Sequence, residues 1–420
     1  MANNRNILVY ASWQDLPEPA LIGTLSADLL KGKEIFAFTY AEKWLNSAYP
    51  QNLDPDLQLY AGRQYLKDDK PNFGIFLDSS PDRWGRVLMK RREAIMARKQ
   101  ERKQNTLLES DFLLGVYDSN RMGALRFKIE TDGPFLSHEQ EFAAPPWILL
   151  RDLEYAVMQL EREDIANEDE LKWLNMLMAP GSSLGGARPK ASVTDPGGNL
   201  WIAKFPSTND EIDVGAWEMI VHELAANGGI NVPQAMIKKL SGKHHTFLTQ
   251  RFDRIHQTQR IHFASAMTLL GYMDGSDHHA GVSYLEMAAF IQKYGNHAEH
   301  NLRELWKRIV FNIMVKNTDD HLRNHGFLLS PLGWELSPAY DMNAVPTGKG
   351  LTLNISENDN SLNLELAIEV AQYFRVSKQG ANTVITHLKR VIARWPEIAA
   401  SYKLSRQERD YMAAAFDSNI

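Results

Sequence analysis

Asn317-Thr318-Asp319-Asp320-His321-Leu322-Arg323-Asn324 is the stretch on which the reading of this chain turns. Asp319 and Asn324 stand five residues apart. Two short apolar runs around Pro331-Leu332-Gly333 then read as a small hairpin over 327–336, which returns the chain to Tyr340-Asp341-Met342-Asn343. Asp341 follows Asn324 by seventeen residues, and the hairpin lets it come back beside the loop. The set offers one carboxylate to accept or orient a hydroxyl proton, and two oxygen-bearing side chains of the hard kind that ligate Mg2+. A charged loop and a helix cap account for any one of these residues; their order and spacing carry more than any single one.

Upstream, Gly181-Ser182-Ser183-Leu184-Gly185-Gly186-Ala187-Arg188-Pro189-Lys190 leads into a strand–turn–strand pattern at 190–194 and 200–205, around Asp195-Pro196-Gly197-Gly198-Asn199. Its glycines let backbone N–H groups approach phosphate oxygens. No Gly-Lys-Ser/Thr occurs and a strand, not a helix, follows, so a P-loop is excluded. A Gly-rich loop opening a hairpin is instead the way protein kinases cover nucleotide phosphates. Lys204 interrupts a mostly apolar run near the end of the second strand, where a kinase needs a lysine for the α- and β-phosphates; an edge-strand lysine pointing to water is the plain alternative. Glu218, in a helix predicted over 214–227, is the expected partner of that lysine, with Glu223 as the other candidate. Gly loop, strand Lys, helix Glu, Asp-x4-Asn, hairpin and Asp thus follow one another in kinase order.

The chain has 420 residues, 44% hydrophobic and 23% charged, with Gly and Pro at ordinary levels, which excludes a disordered protein and suits more than one core. Zero cysteines exclude disulfides, thiol catalysis and thiolate metal sites. No signal-peptide pattern and no apolar run of membrane-spanning length is found, so a cytoplasmic location without membrane association is expected. The formal net charge of −6 excludes a nucleic-acid-binding polycation. Locally, residues 83–103 hold nine Lys or Arg and 161–170 six acids. Both read as solvated faces, with partner docking as the alternative.

Three parts are expected: an α+β subdomain over 1–130, with strands near 7–10, 34–39 and 124–129 and helices near 83–98 and 107–116; a strand-rich part over 131–250; and a mainly helical part over 251–420. A strand-rich lobe followed by a helix-rich one suggests a cleft between them. Asp274, Asp277, His278 and His279 read as an irregular loop rather than a metal cluster, His244-His245 receives no role, and the ten tryptophans read as structural.

These residues resemble the HipA-type serine/threonine kinases, the toxin components of bacterial toxin–antitoxin and persistence systems. The resemblance rests on residues 182–190 (Ser-Ser-Leu-Gly-Gly-Ala-Arg-Pro-Lys), 201–206 (Trp-Ile-Ala-Lys-Phe-Pro), 229–233 (Gly-Ile-Asn-Val-Pro), 250–254 (Gln-Arg-Phe-Asp-Arg), 317–324 and 337–342 (Ser-Pro-Ala-Tyr-Asp-Met), with 81–86 and 121–127 matching the family's first subdomain. It implies an α+β, two-lobed, protein-kinase-like fold with an extra N-terminal subdomain and a full-length form of the toxin. Asp319 would be the catalytic base and Asn324 and Asp341 the Mg2+ ligands. ATP would be bound by Gly185, Gly186, Ala187, Arg188, Lys190, Lys204, Glu218, the hinge Gln250, Arg251 and Phe252, and by His321, Asn324, Tyr340 and Asp341.

In this family a loop serine is itself phosphorylated, which ejects the loop and silences the kinase. Ser183 occupies that position, with Ser182 beside it, and a dianionic phosphate repelled by a loop built to wrap phosphates gives the physical reason. Residues 261–267 lack an acidic stretch many relatives show, which bears on substrate choice. The implied function is ATP-dependent phosphorylation of a protein hydroxyl, with an aminoacyl-tRNA synthetase as target class. A small helix-turn-helix antitoxin is the implied partner, with DNA met only through it. The rival readings are a non-catalytic ATP-binding scaffold or co-repressor, and a small-molecule phosphotransferase.

Overall fold

The computed structural model describes residues 4–47, 51–66, 70–139, 143–161, 168–178, 188–255 and 259–416. By contact density the chain divides into two compact units, Met1–Thr208 with Gln250–Ala264, and Asn209–Thr249 with Ser265–Ile420. The fold is α+β, and the division cuts across the expected 131–250 segment.

The first unit is built on an antiparallel five-stranded sheet in the order β4-β3-β2-β1-β5, formed by β1 (Asn4–Ala11), β2 (Ala20–Leu30), β3 (Lys33–Tyr40), β4 (Arg63–Tyr65) and β5 (Leu125–Lys128). Alternation decides its faces. Ile7, Val9 and Ala11 of β1 are buried, as are Leu25 and Ala27 of β2 and Phe36 and Phe38 of β3. Phe38 and Phe127 each pack against Phe76 of the short Gly74–Asp78 helix, and burying side chains of this size stabilises by roughly 1.5–3 kcal/mol each. β2, eleven residues at the middle of the sheet, was not legible in advance. Gly23, Ser26 and Asp28 dilute its pattern, and only pairing on both sides makes it a strand.

The Arg83–Lys99 helix starts where the Asp82 carboxylate accepts from Gly85 N. Much of its positive charge is spent inside the unit. Arg86 binds Glu109, Arg91 donates to the Leu160 carbonyl, and Arg92 meets Asn175. The expected hairpin is present as β6 (Lys190–Thr194) and β7 (Leu200–Lys204), closed by Asp195, which accepts from Asn199 N and Trp201 Nε1.

Residues 250–264 rejoin this unit through a buried ionic network. Asp253 accepts from Arg251 Nη2 and Arg254 Nη1, both at 2.6 Å, and from Gly123 N at 2.8 Å. Gly123 sits at φ +71, and a Cβ there would lie 2.9 Å from Phe263 N, so glycine is required. Arg260 in turn binds Asp118 at 2.9 Å. Arg121, fully buried, donates to the carbonyls of Ser79, Leu113, Val116 and Leu136; burial holds its pKa down at about 9.

In the second unit, Asp213 caps the Val214–Asn227 helix through Ala216 N, and β8 (Ala235–Lys238) pairs antiparallel with β9 (Thr246–Gln250). The Ala298–Met314 helix is the core element, with Leu302, Leu305, Trp306, Ile309, Val310 and Phe311 all buried. Gly326–Ser330 and Gly333–Leu336 form the predicted hairpin just beyond it. No helix among the described residues is long and apolar enough to cross a membrane.

Candidate active site

The candidate site in the second unit begins where the Ala298–Met314 helix stops. Lys316 turns the chain at φ 47, and Asn317 N donates back to Asn312 O. The loop then folds on itself: His321 N donates to Asp319 O at 3.1 Å and Asn324 N to His321 O at 2.8 Å, with buried Leu322 as its anchor in the core. Asn324 Nδ2 closes the loop on Asp319 O at 2.8 Å, so the five-residue spacing read from the sequence becomes a contact. Past the hairpin, Tyr340 donates its hydroxyl to Arg323 O at 2.7 Å, and Asp341 takes a left-handed conformation at φ 57. Asp319, Asn324, His321, Tyr340 and Asp341 therefore belong to one locus, and Asp341 is near enough for its charge to act on Asp319.

The two adjacent aspartates have opposite environments. Asp319 reaches solvent, yet partial burial pushes its carboxyl above the usual range, His321 pulls the other way, and the Asp341 and Asp320 charges push it up further. Asp320 is buried. Burial alone would raise its carboxyl, but His325 and the hydrogen bonds from His325 and Tyr284 outweigh it and hold the group ionised. Asp320 Oδ2 is approached by Tyr284 O–H at 2.5 Å, by Asn312 Nδ2 at 2.7 Å and by His325 Nε2 at 2.9 Å. An oxygen so occupied is a structural acceptor; of the two carboxylates, that of Asp319 is the exposed one.

The donor set fits Mg2+. Asn324 Oδ1 is buried and accepts no hydrogen bond among the described residues, which leaves its lone pairs for a cation, and Asp341 adds a carboxylate. Hard oxygen ligands, without sulfur, are what that ion takes. His321 Nδ1 is likewise buried without a hydrogen-bond partner among the described residues.

The remaining candidates divide between the units. In the first, Lys204 stands directly opposite Lys190 across β6 and β7. Like charges in that register repel, and Lys190 is offset by Asp82, whose carboxylate lies 3.0 Å from its amino group with both side chains buried. Arg188 Nη2 lies 3.4 Å from Phe205 O. At Gln250-Arg251-Phe252, Arg251 N donates to Leu200 O, its guanidinium is turned inward to Asp253 and the carbonyls of Asn120 and Arg121, and Phe252 packs on Phe263. Ser182, Ser183, Gly185, Gly186 and Ala187 lie outside the described residues. In the second unit, Glu218 is buried on the Val214–Asn227 helix, whereas Glu223 accepts the Tyr402 hydroxyl. Asp277 caps a short turn through His279 N, and its carboxylate and the ring nitrogens of His278 and His279 lie within 4.8 Å of one another, a grouping that the reading as a plain loop did not anticipate.

Sequence reading gave no role to Asn312, Asn317, Tyr284, His325 or Asn343. The available signal was Asn312 itself, a polar residue between Phe311 and Ile313 on a helix otherwise apolar there.

The family model for the HipA-like C-terminal domain matches residues 182–395, just over half of the chain, and the protein belongs to that family. The serine/threonine-protein kinase toxin HipA of Shewanella oneidensis is 23% identical over 341 residues, 74% of this chain and 76% of that protein. A putative kinase of Haemophilus influenzae is 29% identical over 127 residues, 28% of this chain; the match spans 37% of that relative's length. Among solved structures, a chain from the Shewanella oneidensis MR-1 complex of HipA, HipB and operator DNA shares the fold, with a TM-score of 0.64 at 20% identity, covering 98% of this chain and 95% of that one.

Proposed function

We propose that the protein is a serine/threonine protein kinase of a toxin–antitoxin pair, transferring the γ-phosphoryl group of ATP to a protein hydroxyl. The observation that carries this reading is an exposed Asp319, within reach of the Asp341 charge, whose backbone carbonyl is bound by Asn324, an asparagine with an Oδ1 that accepts no hydrogen bond among the described residues. The hydroxyl oxygen bonds to the γ-phosphorus, the bond from that phosphorus to the bridging oxygen breaks, ADP leaves, and Asp319 accepts the hydroxyl proton. Asn324 and Asp341 would hold Mg2+, which supplies neutralisation of phosphate charge when bound. Lys204 is assigned to the nucleotide phosphates, Glu218 to orienting that lysine, and Gln250 to Phe252 to the adenine hinge. The loop from Gly185 to Lys190 is assigned to covering the nucleotide, with Ser183 or Ser182 as the self-phosphorylated residue. A small helix-turn-helix antitoxin is the proposed partner and an aminoacyl-tRNA synthetase the proposed substrate class, in the cytoplasm.

Phosphate incorporation from labelled Mg-ATP, with Asp319→Ala alongside, tests the reading. Loss of a general base costs typically ~10²–10⁴-fold, so transfer should fall by at least ~10²-fold while ATP binding persists. Wild-type turnover by the variant would refute the assignment of Asp319. ATP binding by the wild type without any transfer, to itself or to lysate proteins, would replace the kinase by a non-catalytic scaffold.

A further inference from the structure

Asp320 and Asp341 are joined through three asparagines. Asn312, 2% exposed in the core of its helix, donates from Nδ2 to Asp320 Oδ2 at 2.7 Å and accepts at Oδ1 from Asn317 Nδ2 at 3.1 Å. Asn317, 1% exposed, accepts at Oδ1 from Asn343 N at 3.0 Å, and Asn343 Nδ2 reaches Asp341 Oδ1 at 3.4 Å. Asn312 and Asn317 each give through Nδ2 and receive at Oδ1, and Asn343 gives twice, from its backbone N and from Nδ2. A buried amide left without its partner costs roughly 1–3 kcal/mol, so the network holds a single arrangement rather than several.

Both ends of the network touch the candidate site. Asp320, also bound by Tyr284 and His325, lies between Asp319 and His321 in the loop that ends at Asn324. At the other end, a left-handed non-glycine residue such as Asp341 persists only where its surroundings hold it, and the Asn317–Asn343 bond fixes the backbone two residues on. We propose that Asn312, Asn317 and Asn343 are positioning residues that set the cation affinity of the Asn324–Asp341 pair by fixing the two ligands relative to each other. Partners of metal ligands typically govern affinity by 10–100-fold, a magnitude no core asparagine remote from a ligand should have. The inference rests on the proposed function for the identity of the ligands, and on the hydrogen bonds alone for the relay.

The test is Mn2+ titration of the full chain by electron paramagnetic resonance, with a non-hydrolysable ATP analogue present. Asn317→Ala should weaken Mn2+ binding by about 10-fold or more, while analogue affinity in EDTA stays within about two-fold, as expected when the loss is confined to the cation. Asn343→Ala, a change outside the core, should move Mn2+ affinity the same way by a smaller factor, about three-fold, since it removes the longer contact and spares the backbone bond. A cooperatively melting Asn317→Ala protein with wild-type Mn2+ affinity overturns the relay. Should that variant not fold, unchanged Mn2+ affinity in Asn343→Ala overturns it instead. The titration reads no turnover, so Mn2+ affinities that shift in the variants as expected, beside absent phosphoryl transfer in the labelled Mg-ATP assay, sink the kinase reading and keep the relay, whereas a wild-type chain that binds no Mn2+ overturns both.

Discussion

Asp253→Asn is the sharpest test of how the first unit is held together. The carboxylate is fully buried, and the guanidinium groups of Arg251 and Arg254, themselves almost completely enclosed, each approach it to 2.6 Å. The substitution keeps the shape but removes the charge, and it turns an amide donor toward groups that only donate. Breaking a buried pair while leaving its partner in place costs about 3–5 kcal/mol. For a unit of this size, each kcal/mol is worth about 2–4 °C, so the transition of the first unit should fall by roughly 6–20 °C. Differential scanning calorimetry of the full chain reads this directly. Asp410→Asn is the control: its exposed contact with Arg406, at 3.7 Å, belongs to the class of surface pairs worth about 0–1 kcal/mol. A melt of Asp253→Asn within about 2 °C of wild type would refute the view that this network, rather than apolar packing alone, fastens residues 250–264 to the 118–123 loop.

Two other expectations can be measured with the same protein. Burial alone would raise the Asp253 carboxyl, but Arg251 and Arg254 hold it down at about 2, so its contribution is complete above the unfolded value near ~4 and is lost as pH falls toward 2. Urea unfolding at pH 6 and pH 3 should show wild type losing stability on acidification and Asp253→Asn losing less, with equal losses counting against it. Ser183→Ala should stay active longer than wild type in Mg-ATP; phosphopeptide maps of ATP-treated wild type without phosphate at 182 or 183 would end that assignment.

How much of this was legible beforehand depends on how local the determining interactions are. The 190–194 and 200–204 hairpin and the 214–227 helix followed from turn chemistry and periodicity, with Gly228-Gly229 in the sequence to stop the helix, all acting within a few residues. The β2 strand did not, because its stability comes from neighbours on both sides. The order of the candidate site was also readable, since Asp319, Asn324 and Asp341 lie on one stretch of chain joined by a hairpin. Its finish was not: which of two adjacent aspartates faces solvent is set by Tyr284, 36 residues earlier, and by Asn312 on the preceding helix, and only the fold turns both side chains onto Asp320.

The Gln-Arg-Phe-Asp-Arg segment makes the same division. As a motif it marks a family, and the match of the family model over 182–395 agrees with the resemblance read from residues alone. Only the folded chain gives Arg251 and Asp253 a fastening role, because their counterparts, Asn120, Arg121 and Gly123, stand about 130 residues earlier. Sequence by itself determined the α+β class, the local elements and the succession of chemical groups, since each is written in short-range pattern. Tertiary structure decided which charges are buried, which carboxylate reaches water and which amide oxygen is left without a partner among the described residues, since desolvation and pairing depend on groups the chain brings together only when it folds.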